Sequence, residues 1–333
     1  MELFEDERHR LNPLHGIILF FIIMVLFIFV FAPLQLHFGM TGLLLTELGL
    51  LAVTLLAVRF TGQSFREVFP ISRPRFGQIL GTILLWAGCF LSVMLVTLVS
   101  MYFFPEGFLD VSSSMSSMFA SIPAFFSFLI VAVSPAICEE AMHRGFIMHT
   151  FRGISKDWVV VLCIGLIFGL FHLDPYRFLP TALLGMGLAY IMRKTNNLLL
   201  PALFHFINNS LSFFSSLTTS SVEMEQQSAQ LLSDPSFLLL SLGSYLVIGF
   251  LAPVLLFTGS YSLRKSSGCL RKYSDLRLVL TIVGVVSLSF LMLAAGFAII
   301  MLNMDTAMDM ESIQQFLCIV SGILKSVTPI YKT

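Results

Sequence analysis

From Ile17 to Leu36 the chain runs for twenty residues without an ionisable side chain. About twenty apolar residues in a helix match the hydrocarbon thickness of a bilayer, and few soluble folds can hide a segment of that kind. The pattern repeats, predicting apolar spans at 16–36, 41–60, 76–104, 119–150, 157–174, 178–192, 197–217, 236–258 and 276–302. These runs are continuous rather than alternating in short strands, which excludes a transmembrane β-barrel. The expected fold is all-α, a polytopic transmembrane helical bundle with eight to nine membrane helices. The first run is too long for a signal-peptide core and has no small-residue cleavage site, so it reads as a retained membrane helix.

Only 11% of the 333 residues are charged and the formal net charge is zero, which gives nucleic acid nothing to bind. Five cysteines, Cys89, Cys138, Cys163, Cys269 and Cys318, lack any CxxC spacing and read as buried free thiols. Lys and Arg gather in alternate loops, at 59–75, 152–156, 193–194 and 264–277, while the others carry Glu106, Asp110, Glu223 and Glu225. Arg177, beside Asp174, stands against that pattern. The positive-inside rule then places the N-terminus in the cytoplasm and the C-terminus outside, in a multi-pass protein of the cell membrane. Beyond the last span, Ile313, Phe316, Leu317, Val320, Ile323 and Leu324 recur at helical spacing and suggest an amphipathic helix on the outer interface.

Polar groups inside such spans are costly, so their placement is informative. Apart from Glu47 they concentrate in the middle third, giving a division into N-terminal membrane helices (1–118), a core (119–217), and C-terminal membrane helices with the amphipathic tail (218–333). Glu139, Glu140, His143 and Arg144 fall within six consecutive positions after Pro135. Glu140 and Arg144 are one helical turn apart and should form an ion pair. Glu139 lies about 100° round the helix and can point into a cavity. His172 closes the next span, and each of Glu139 and His172 lies roughly 24 Å from the turn joining their two helices. Matching depth favours a shared site. His205 and Asn209, four apart, share one helix face, while Asn208 is expected to point elsewhere. Read singly, these groups could be a snorkelling cluster, an interfacial histidine and an interhelical hydrogen bond.

Together they resemble the CAAX-protease and bacteriocin-processing (CPBP) family of intramembrane endopeptidases, which includes the Rce1-type prenyl-protein proteases. Its EExxxR motif is met by Glu139, Glu140 and Arg144, followed by Gly145; FxxxH by Phe168 and His172; HxxxN by His205 and Asn209. One departure is His143, where the family commonly has an aromatic residue; it reads as a donor behind the site or a cytoplasm-facing substitution without catalytic weight.

The resemblance implies hydrolysis of a peptide bond in a membrane-associated protein or peptide. No serine–histidine or cysteine–histidine pairing and no HExxH is indicated, so an activated water is the economical nucleophile. Glu139 is expected to be the general base, His172 to orient the water, and His205 and Asn209 to supply oxyanion donors. Glu140 and Arg144 form a structural ion pair. No cofactor is required on this reading. The alternative is zinc held by Glu139, His172 and His205, a catalytic His₂Glu donor set. Rival functions are a proton-coupled transporter and an inactive scaffold subunit; the oligomeric state is not legible.

Overall fold

The computed structural model describes residues 11–104, 118–119, 121–218, 235–269 and 275–304. Among them there are helices and turns but no strand. The expected tail helix around 313–324 and most of the loop between 217 and 236 lie outside these residues.

The elements follow the predicted runs closely. They are α1 (Pro13–Phe38), α2 (Met40–Phe60), the short α3 (Phe65–Val68), α4 (Phe76–Phe103), α5 (Ala124–Thr150), α6 (Asp157–Phe171), α7 (Phe178–Thr195), α8 (Leu199–Thr218), α9 (Pro235–Gly249), α10 (Ala252–Ser266) and α11 (Asp275–Met304). Asn12 starts α1 by accepting from the Leu14 N–H at 3.1 Å, with Pro13 at the first helical position, where its missing N–H costs nothing. Gly39, at φ 54°, makes the tight turn into α2 that a side chain would strain.

Length and apolar composition suit six stretches among the described residues to membrane crossing: α1, α2, α4, α5, α9 with α10, and α11. The expected count of eight to nine is not confirmed at that number. Helix α6 is apolar but has 15 residues. In α7 and α8 the hydropathy is lowered by Arg193 and Lys194 and by His205, Asn208 and Asn209. The run expected at 236–258 is two helices rather than one. Pro253 cannot donate to the carbonyl of Gly249, and the chain turns at Phe250 and Leu251 before resuming.

Helix α5 is the centre of the molecule, with 56% of its most apolar window buried against 6–33% in the other five crossing stretches. It is flanked by α1, α2 and α8. Helices α6 and α7 form an antiparallel hairpin beside it, drawn close by glycine: a Cβ on Gly185 would lie 2.8 Å from that of Phe168. Phe21, Phe29, Phe290 and Leu291 are exposed on the outside, as a hydrocarbon solvent allows. At one end the basic loops are tied together: Arg193 Nε donates to Asp157 at 2.7 Å, and Arg75 donates to the Ser266 carbonyl at 2.7 Å.

Candidate active site

Helix α5 is not regular where the candidate site residues lie. It winds as a π-helix at Leu129–Val133 and again at Ala141–Ile147, with Pro135 between. Pro135 has no N–H to offer the carbonyl of Val131, and the Asn209 side-chain amide donates to that carbonyl at 3.1 Å. Asn209 is thus partly a splint for the kink, with one of its two N–H groups committed.

Glu140 is fully buried, and its Oε1 accepts two charge-assisted contacts: Arg144 Nη1 at 2.9 Å and His205 Nδ1 at 2.8 Å. Arg144 also donates through Nη2 to the Gly185 carbonyl at 3.0 Å, and its guanidinium lies 4.4 Å from the Phe168 ring centroid. The expected ion pair is present. It also anchors His205, leaving Nε2 as the ring nitrogen available elsewhere. His172 is fixed likewise, with Nδ1 donating to the Phe168 carbonyl at 2.8 Å. In both rings these bonds fix Nδ1 as a donor.

Glu139, His172, His205 and Asn209 come from α5, the end of α6 and α8, and all four line one cavity of about 250 Å³. Glu139 is buried, and its Oε2 has no hydrogen-bond partner among the described residues. Glu140 and Arg144 stand behind the cavity wall. The matching depth of Glu139 and His172 thus corresponds to a shared space large enough for water and a peptide group. Among the described residues no three His, Cys, Asp or Glu side chains converge closely enough to hold a metal ion.

Several residues differ from their sequence reading. Asn208 does not point elsewhere; it lines the cavity with Ser212 and donates to Asn209 at 3.4 Å. Spacing could have shown this, because 205, 208, 209 and 212 lie at i, i+3, i+4 and i+7, within one helix face. His143 does not face the cytoplasm. It is fully buried between the rings of Phe168 (5.0 Å) and Phe171 (5.1 Å) and donates through Nδ1 to the Glu139 carbonyl at 3.0 Å. Cys269 is exposed at the basic end, whereas Cys138 is buried. Glu47 on α2 is buried, and its Oε2 has no hydrogen-bond partner among the described residues. No motif marked it.

The His143 ring fills space more than it bonds, and its Nε2 has no partner among the described residues. His143→Phe is therefore expected to change stability by no more than about 1 kcal/mol, the scale of one lost hydrogen bond. His143→Ala leaves a void and should cost about 3 kcal/mol. Thermal unfolding in detergent measures both; equal losses would show that the imidazole itself matters.

Residues 121–211, which contain all three motifs, match the family model described as type II CAAX prenyl endopeptidase Rce1-like. The resemblance read from the motifs is borne out over that segment, and a CAAX-protease-like membrane protein is what it is similar to. No curated protein and no solved structure matches the chain.

Proposed function

Starting from an Rce1-like segment at the centre of a membrane helical bundle, we propose that this protein hydrolyses a peptide bond of a membrane-associated polypeptide with a water activated by Glu139. The observation that carries the reading is the convergence of Glu139, His172, His205 and Asn209 on one cavity inside an otherwise apolar chain.

In the proposed reaction a water sits between the Glu139 carboxylate and Nε2 of His172. With Nδ1–H held by the Phe168 carbonyl, Nε2 of the neutral ring is an acceptor suited to orienting that water. Glu139 takes the proton as the water oxygen attacks the scissile carbonyl carbon, and later delivers it to the departing amine. His205, its Nδ1–H held by the Glu140 carboxylate, serves the developing oxyanion through Nε2–H as the doubly protonated ring, in which both nitrogens donate. The second N–H of Asn209 faces the same oxygen, with Asn208 as a further donor beside them. The helices on either side of the 119–217 core act as walls: α1 and α2 against α5, and α4 against α7 and α8.

The metal question has its own expected result. Purified protein should lack stoichiometric zinc, and strong chelators should leave cleavage of a reporter peptide in proteoliposomes largely intact. Loss of cleavage on chelation, restored by added zinc, would transfer Glu139, His172 and His205 to a ligand role.

A further inference from the structure

The cavity has a direction. Along α8 its lining residues run from Phe204 and His205 to Ser212, away from the basic loop at 193–197 and over roughly 10 Å of helix. Along α7 they run from Leu188 through Leu184 and Thr181 to Arg177, again away from Arg193 and Lys194. On α6 they are Phe168 and His172, at the end remote from Asp157. Ser212 is exposed, and Arg177 keeps 35% of its side chain accessible while its Nε donates to Asp174 at 2.6 Å.

Among the described residues the opposite end is packed: every residue from 138 to 151, the helix below Glu139, is buried. Phe69, in the 61–75 loop, presses on Gly145, where a Cβ would meet its ring at 2.6 Å. That loop is fastened down by Asn197, whose Nδ2 donates to the Ser72 carbonyl at 2.8 Å, and by the Leu198 N–H, which donates to the Pro70 carbonyl at 2.8 Å. Helix α1 closes the side, Gly16 against Thr150. A separate hollow of about 80 Å³ near Met148 and Arg152 shares no lining residue with the catalytic cavity.

We infer that the catalytic cavity, as the described residues bound it, opens toward the end opposite the basic loops, so that its substrate is a peptide segment displayed on the extracytoplasmic face of the membrane. The side follows from the geometry together with the retention of Lys- and Arg-rich loops in the cytoplasm. That the occupant is a peptide rests on the proposed proteolysis.

The test uses the full chain in cells, with Cys269 and Cys318 replaced by serine and one thiol returned at a time. Ser212→Cys reports the mouth, Thr181→Cys reports the same mouth from α7, and Lys156→Cys reports the exposed basic end. With a membrane-impermeant sulfonated maleimide, the two mouth thiols should be labelled in intact cells, with no gain on permeabilisation. Lys156→Cys should react only after permeabilisation. Labelling of Lys156→Cys in intact cells, with the mouth thiols protected until permeabilisation, would overturn the inference. So would mouth thiols that stay unreactive even in permeabilised cells. None of these readings depends on turnover, so a wrong side of access is distinguishable from a wrong reaction, which loss or retention of cleavage in Glu139→Gln reports separately.

Discussion

Glu139→Gln is expected to lower turnover by about 10²–10⁴-fold, the usual worth of a positioned general base, while the protein still inserts and folds. The amide keeps the shape of the carboxylate. Because Oε2 of Glu139 has no partner among the described residues, the change strands no opposite charge. His172→Ala should give a loss of similar size, since an unheld water attacks poorly even beside an intact base. The double variant should be little worse than Glu139→Gln alone: a histidine that only orients the base's water has nothing left to orient. His205→Ala should also be strongly impaired. Asn209→Ala should cost about 10²–10³-fold if its second N–H serves the oxyanion. It should also lose about 1–3 kcal/mol of stability, because the Val131 carbonyl loses its side-chain donor. Initial-rate cleavage in proteoliposomes, paired with thermal unfolding, measures the whole set. Full activity in Glu139→Gln, or multiplicative losses in the double variant, would remove the activated-water mechanism.

The legibility of the chain is uneven for physical reasons. A bilayer imposes its thickness on sequence, so runs such as 41–60 and 276–302 recover α2 (Met40–Phe60) and α11 (Asp275–Met304) almost to the residue. The depth match of Glu139 and His172 can be read because a hairpin of two helices converts residue number into height. The π-turns at Leu129–Val133 and Ala141–Ile147 cannot, since they add a residue to a turn without changing the apolar content of the run. The bond between His205 and Glu140 spans 65 positions, and only packing creates it. His143 resists reading for a related reason. A titratable side chain near a basic loop looks solvent-facing in sequence, but here two phenylalanines of the next helix enclose it.

Glu140→Gln and Arg144→Ala should show a different signature from Glu139→Gln: loss of stability and activity together. Both charges are buried at 0% side-chain exposure, so Glu140→Gln leaves the Arg144 guanidinium without its ion-pair partner in a low-dielectric interior, and Arg144→Ala leaves the Glu140 carboxylate with His205 alone. Breaking a buried pair in this way costs about 3–5 kcal/mol, a large part of a membrane protein's margin, and should appear as a lower unfolding temperature and a lower yield. Arg144→Lys is not a rescue. A single ammonium cannot reach Glu140 and the Gly185 carbonyl at once while lying over Phe168, as the planar guanidinium does. The activity loss has its own cause, because Glu140 also holds Nδ1 of His205 at 2.8 Å. Once a side-chain amide replaces that carboxylate, offering only a neutral oxygen or an N–H, the imidazole loses its fixed orientation. Turnover should therefore fall even at temperatures where the variant remains folded. The measurement is a comparison of Glu139→Gln with Glu140→Gln: unfolding temperature first, then cleavage rate well below both midpoints. Two stable and inactive variants would mean that Glu140 shares the chemistry. A destabilised Glu140→Gln with full activity would mean that His205 needs no anchor.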